Sequence, residues 1–332
     1  MRALKALKPP LFLFFLIISF CVFAQLVYGS PGLVLQVTSD KPIYPFLDQV
    51  QIQANLTEDG IPVLDGLIGF EMVDPYGRWV VTRTLQTETP PVGLVNITEA
   101  FLCNQTGHPI DRVYVGVDDA YFYVSIKNIG SYTLSQVLVT VTFYQNLYFF
   151  PHYAHLSVVF PLVEINGTRA FYQSFHIPWE WVSVGTVVAY VNVFSGFPHD
   201  GGYPYCTEKA SPFEIVKWPN PPSGTNFTPP NHNYNLTFKI PPDAEIGPYR
   251  VHAIGGRYPT YAIAPYYQIT VELVGDVNGD YKVNYIDLFA LADAYGSEPD
   301  DDNWDVRCDF NDDDKVNFYD LFMLADYYGL PL

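Results

Sequence analysis

Residues 276–296 and 309–329 are two copies of one pattern at an offset of 33 residues, and this duplication constrains the chain more than any other feature. The first copy opens Asp276-Val-Asn-Gly-Asp-Tyr-Lys-Val-Asn-Tyr-Ile-Asp287, and the second Asp309-Phe-Asn-Asp-Asp-Asp-Lys-Val-Asn-Phe-Tyr-Asp320. Side-chain oxygens recur at loop positions 1, 3, 5, 9 and 12. They belong to Asp276, Asn278, Asp280, Asn284 and Asp287, then to Asp309, Asn311, Asp313, Asn317 and Asp320. Position 7 of such a loop donates a backbone carbonyl, so Lys282 and Lys315 are compatible there. A hard divalent cation takes six to eight oxygens, whereas clustered carboxylates without a cation repel one another. The expectation is two Ca2+ sites. A merely solvated acidic tail would not repeat a spaced donor set.

The net charge of −18 follows the same division. Residues 276–332 hold 15 acids and 3 bases, residues 31–275 hold 20 and 11, and the first thirty carry only Arg2, Lys5 and Lys8. This acidity argues against a nucleic-acid or anionic-membrane partner, since both select basic patches. It leaves cations, neutral glycans and proteins.

Each loop runs into a helical pattern. Leu288, Phe289, Leu291, Ala292 and Tyr295 are read as one apolar face ending at Gly296, and Leu321, Phe322, Leu324, Ala325 and Tyr328 as its copy ending at Gly329. Both glycines suit a left-handed cap. The segment before Asp276, Gln268-Ile-Thr-Val-Glu-Leu-Val274, reads as a strand where an EF-hand would have its entering helix. A duplicated loop–helix without entering helices resembles a dockerin of type I, over residues 275–332. That resemblance implies two bound Ca2+ and a cohesin-like partner module, met through loop positions 10 and 11. Here these are Tyr285 and Ile286, then Phe318 and Tyr319. The pairs either make a hydrophobic partner contact or pack within the protein. Position 6, usually Gly in the family, is Tyr281 and Asp314.

The basic start precedes an apolar run from Leu11 to Ala24, the length of a signal-peptide core rather than a membrane span. Residues 1–24 are expected to be an export signal, with a second cleavage site after Gly29 and an uncleaved anchor as the alternative. No later run is apolar enough for an integral membrane segment, so a secreted or cell-surface location is expected. Six Asn-x-Thr sequons, at Asn55, Asn96, Asn104, Asn166, Asn226 and Asn235, fit glycosylation of surface loops in an exported chain. Export also permits disulfides. Cys103 and Cys206 are the candidate pair, leaving Cys308 free, and unpaired cysteines are the other reading.

Between these ends, apolar–polar alternation recurs at short spacing, as in Leu33-Val-Leu-Gln-Val37, Val50-Gln-Ile-Gln-Ala54 and Val137-Leu-Val-Thr-Val141. This predicts a mainly β protein of Ig-like sandwiches followed by a small α-helical calcium module. The run Asp40-Lys-Pro-Ile-Tyr44 and the turn Asp74-Pro-Tyr-Gly77 resemble the opening of a macroglobulin-type β-sandwich. Leu236 to Ala253 is similar to its closing strands. The implied arrangement is one sandwich from residues 31–99 plus 228–274, interrupted by a second at 100–217, with a Pro-rich connector at 218–230. Within the insert, Tyr121-Phe-Tyr-Val-Ser-Ile-Lys-Asn-Ile-Gly130 is similar to CARDB-type adhesion modules, also sandwiches.

No nucleophile elbow, zincin motif or phosphate loop is present. His152 with His155, and His199 with Asp200, lack a third ligand in register and read as loop residues. Aromatic clusters at Tyr144–Tyr153, Trp179/Trp181 and Tyr203/Tyr205 could stack on sugars, or simply pack. Two functions remain open. One is a non-catalytic adhesion or ligand-binding protein. The other is a carbohydrate-binding component of a polysaccharide-degrading assembly, or a hydrolase of O-glycosyl bonds within one.

Overall fold

A computed structural model describes residues 32–329 except 46–47, 90, 92, 115–119, 147–150, 176–184, 217–234, 241–243 and 312. The expected export signal, the 218–230 connector, Asn226, Trp179 and Trp181 lie outside the described residues, as do the side chains of His152 and His155. In chain order the strands are β1 Leu33–Ser39, β2 Ile43–Pro45, β3 Gln49–Glu58, β4 Ile61–Pro62, β5 Leu67–Val73, β6 Trp79–Gln86, β7 Val95–Cys103, β8 Arg112–Tyr114 and β9 Ala120–Asn128. They continue with β10 Leu134–Asn146, β11 Pro151–Ile165, β12 Thr168–Phe175, β13 Gly185–Phe194, β14 Lys209–Val216, β15 Asn235–Lys239, β16 Gly247–Arg257, β17 Thr260–Ile263 and β18 Tyr267–Glu272. Two helices close the fold, α1 Tyr285–Ala294 and α2 Phe318–Tyr327. Mainly β with a helical tail is the observed class.

Two apolar cores organise the strands. In the first, the inward residues of β1, β3 and β15 (Leu35, Ile52 and Phe238 among them) meet those of the sheet β2-β18-β16-β5-β6, such as Tyr44, Phe70 and Val251. In the second, β10, β11, β13 and β14 face the three-stranded sheet β12-β9-β7. Alternation explains this inside–outside arrangement, because successive strand residues point to opposite faces. One nine-stranded sheet, ordered β1-β3-β15-β11-β10-β13-β14-β8 with β4 attached to β3, runs through both cores. The strand opening the second core starts at Val95, five residues before the edge expected at 100.

The Asp40-to-Tyr44 motif has a visible purpose. Tyr44 is fully buried in the first core, and its hydroxyl donates to Asp40. The turn from Asp74 joins β5 to β6: its Oδ1 accepts the amides of Tyr76 at 2.9 Å and Arg78 at 2.8 Å, and Gly77 takes a φ of 85°.

The cores are bolted together by polar groups. Arg83 of β6 makes a bidentate pair with Glu208, at 2.8 and 2.6 Å, with both side chains almost fully buried. Its guanidinium lies 3.7 Å from the ring centre of Tyr190 and 4.7 Å from that of Tyr144. Burial opposes the charge on Arg83, but the carboxylate and its hydrogen bonds outweigh it and the net pKa is raised. Beside this pair, Thr82 Oγ1 is 2.7 Å from Thr140 Oγ1, and the buried carboxylate of Glu71 accepts from the His199 amide at 2.8 Å.

Of the two readings left open for Cys103 and Cys206, the structure has the unpaired one: no disulfide joins them. All three described cysteines are free and buried. Cys206 lies against Gly93, whose Cβ would come within 3.1 Å of the Cys206 Cα, while Cys103 ends the strand that starts just beyond Gly93. The nine residues of that strand span about 30 Å, against the 4.4–6.8 Å a disulfide needs. Burial pushes the Cys103 thiol up to about 11 and that of Cys206 to about 12.

Candidate functional site

The tail has its own small core of Val277, Val283, Leu291, Ala294, Cys308, Val316 and Leu324. The two loops wrap alike. Asp276 Oδ1 accepts the amides of Gly279 (2.9 Å) and Asp280 (3.1 Å), and its Oδ2 that of Tyr281 (2.8 Å). Asp309 accepts those of Asp313 (3.1 Å) and Asp314 (3.0 Å). Position 12 is fully buried in both copies: Asp287 accepts from Val277, Asn278 and Asn284, and Asp320 from Phe310 and Asn317.

This donor set fits a hard cation. Each carboxylate oxygen has two lone pairs, so those that accept a single backbone amide, Oδ2 of Asp276 and Asp287 and both oxygens of Asp309 and Asp320, keep capacity for a metal. Asp309 is itself buried, and burial raises its carboxyl pKa; amides from Asp313 and Asp314 lower it, and the charges of Asp320 and Asp313 raise it. A divalent ion would offset that cost. Lys282 and Lys315 stand at the carbonyl positions, and the Asn278 amide donates to Asp280 at 3.1 Å, as Asn311 does to Asp313 at 3.0 Å. Among the described residues no three His, Cys, Asp or Glu side chains converge as a ready-made metal cluster, so the reading rests on donor spacing and type.

Four ligand candidates have a second task that the sequence reading missed. Asn284 and Asn317 are the N-caps of α1 and α2, accepting from Ile286 at 2.9 Å and Tyr319 at 2.8 Å. Asp287 and Asp320 return the bond, completing a capping box in each copy. The signal was legible: a capping residue followed three positions later by an acid before an apolar run. Metal loop and helix start are one structure, so ordering the first orders the second.

Position 6 takes positive φ despite its side chain, 64° at Tyr281 and 61° at Asp314. Glycine there relieves about 1 kcal/mol per loop. Tyr281→Gly with Asp314→Gly is therefore expected to tighten calcium binding about fivefold per loop in a calorimetric titration. Unchanged affinity would show that the conformation is unstrained.

The helix faces differ from the pattern expected of them. Leu291 and Ala294 are buried, but Phe289 and Tyr295 are exposed, as are Phe322 and Tyr328. A two-helix module has too small an interior to bury a whole apolar face. The expected partner residues are outside as well: Tyr285 at 61% exposure, Ile286 at 44%, Phe318 at 54% and Tyr319 at 66%. Phe318 packs edge-on against Phe322 at 4.0 Å, and Tyr285 against Phe289 at 6.1 Å. Each helix start thus carries an exposed aromatic patch.

Several body candidates turn out to be structural. Tyr144 lies under Arg83, Tyr205 is buried, and Tyr203 stacks on Tyr261 at 4.2 Å. His199 Nδ1 is held by Glu71 at 2.8 Å, with Asp200 at 3.3 Å from Nε2. Asn55, Asn96 and Asn235 are on strands rather than in the loops expected, Asn166 is in the turn between β11 and β12, and Asn104 accepts from Thr106 and His108 in its own turn. No helix among the described residues is long and apolar enough to cross a membrane.

The class defined so far is a β-sandwich body carrying a duplicated calcium loop–helix module. Residues 274–328 match the dockerin type I domain, so the tail is a dockerin type I module and binds calcium through its two loop–helix motifs. Modules of this family dock to cohesins. No curated protein matches the chain. Among solved structures, the chain is similar to an alkylpurine DNA glycosylase of Pseudomonas fluorescens (12% identity over 37% of this chain and 30% of that one, TM-score 0.25). It is also similar to a DUF4785 family protein of Legionella pneumophila (12%, 55% and 56%, TM-score 0.22) and to a Salmonella alpha-2-macroglobulin (14%, 72% and 18%, TM-score 0.20). The chain thus spans between 18% and 56% of these structures.

Proposed function

We propose that the protein is an exported, non-catalytic surface or secreted component whose calcium-loaded tail docks to a cohesin-like module, while the sandwich body mediates adhesion or ligand binding. The observation carrying this is the exposure of Tyr285, Ile286, Phe318 and Tyr319, at matching places on the two capped helices. Four exposed apolar side chains on so small a module have no role in its own core, and aromatic anchors dominate binding where they become buried. The test is capture of the full chain by immobilised cohesin modules, in calcium and in chelator. Replacing all four residues by Ala is expected to weaken capture by at least about 2 kcal/mol, roughly thirtyfold, with the calcium-induced helicity intact. Capture that survives the four changes would place the interface elsewhere.

A second reading makes the body the carbohydrate-binding part of a polysaccharide-degrading assembly. Its support is a cavity of about 560 Å3 over β1, β3 and β15, lined by Gln36, Thr38, Gln53, Asn55, Asn235 and Glu88 among others. Strand register sets Gln36 opposite Asn55, and Gln53 opposite both Thr38 and Asn235. Neutral amides of this kind suit hydroxyl-rich ligands. Binding to a panel of neutral polysaccharides, lost on Gln36→Ala with Gln53→Ala, would favour it; a blank panel leaves the adhesion reading.

A further inference from the structure

The tail's two copies differ at one place where the body is close. Ala294 ends α1 and is buried in the tail's own core, whereas the same place in α2 is Tyr327. Tyr327 packs against both the tail core and the first sandwich core, and so does Leu273, just before the tail begins. Burial, then the charges of Asp48 and Asp326, push the Tyr327 hydroxyl up to about 12, so a body residue and the tail helix share one environment. The joint itself is tight. Gly275 has a φ of 92°, and a Cβ there would come within 3.2 Å of the Leu324 Cα and 3.1 Å of Val283 Cγ1. The α2 backbone therefore lies directly on this joint.

We propose that α2 is a calcium-dependent clamp on the sandwich, with Tyr327 as its contact. The second loop ends in the capping box of α2, so filling that loop fixes the helix start, and the last turn of the same helix holds Tyr327 on the body. Coupling of this kind is reciprocal: calcium steadies the nearby strands, and the seated tyrosine tightens calcium binding. The strands concerned are β18, which leads into Leu273, and β2, which pairs with it from Ile43↔Thr270 to Pro45↔Glu272. The clamp rests on calcium binding by the tail and not on cohesin docking, and it leaves Tyr285, Ile286, Phe318 and Tyr319 exposed.

The test is amide hydrogen exchange of the full chain with and without calcium. Calcium is expected to slow exchange in β2 and β18 on the order of tenfold, as well as in α1 and α2. In Tyr327→Ala, which gives α2 the residue α1 already has, the helices keep their calcium-dependent protection while that of β2 and β18 disappears. Tyr327→Phe preserves the contact and retains both effects. Calcium-dependent protection of β2 and β18 that persists in Tyr327→Ala, or is absent from the unaltered chain, would overturn the clamp. Failure of calcium binding itself would show separately, as unprotected helices in the unaltered chain.

Discussion

Asp276→Ala with Asp309→Ala abolishes the rise in helical circular dichroism that calcium produces in the tail. Each residue removed is position 1 of its loop, and each accepts the amides that fold the loop back on itself. Without that carboxylate the loop loses a metal donor and the acceptor that closes it. The capping box at the loop's far end then has no ordered loop to stand on. At calcium a thousandfold above its dissociation constant, one site stabilises the folded module by about 4 kcal/mol. Losing two such contributions exceeds what a tail with seven buried apolar residues in its core can hold alone. The strands of the body should keep their spectrum. A helical response that survives both changes would show the donor assignment to be wrong.

Glu208→Gln destabilises the body by about 3–5 kcal/mol in chemical denaturation, the usual effect of breaking a buried ion pair from one side. Arg83 is 3% exposed and sits against two tyrosine rings, so it can neither reach water nor readily lose its proton. The substitution keeps shape and removes charge, leaving a buried cation beside an amide. Replacing both partners, Arg83→Met with Glu208→Leu, is expected to recover most of the loss, since the cost lies in the unpaired charge. Equal destabilisation by the single and double changes would mean that the pair acts through packing alone. The pair joins β6 of the first core to the segment before β14 of the second, so its loss should also let the two cores unfold in separate steps.

The calcium loops were legible because all their donors lie within twelve consecutive residues, where spacing is geometry. The fold class was legible for the same reason, since strand alternation is a local signal. The turn at Asp74 was legible in its Asp-Pro-x-Gly pattern, whereas the burial of Tyr44 beneath Asp40 was not. Sequence failed where contacts span the chain. Whether Cys103 and Cys206 pair could not be read from their spacing, and one strand's length holds them apart. The apolar face of each helix was inferred from periodicity, but periodicity does not tell how much interior is available to cover it.

By itself, then, the sequence determined the tail's repeated loop–helix pattern, its two helices and the strand-rich body, all set by neighbours a few residues apart. Only the tertiary structure decided that one sheet runs through both cores, that Arg83 finds Glu208 across 125 residues, and that Tyr327 packs on the body as well as on its own module. These depend on which surfaces meet once the chain is compact, and a residue's partner at that distance leaves no pattern in its own stretch of sequence.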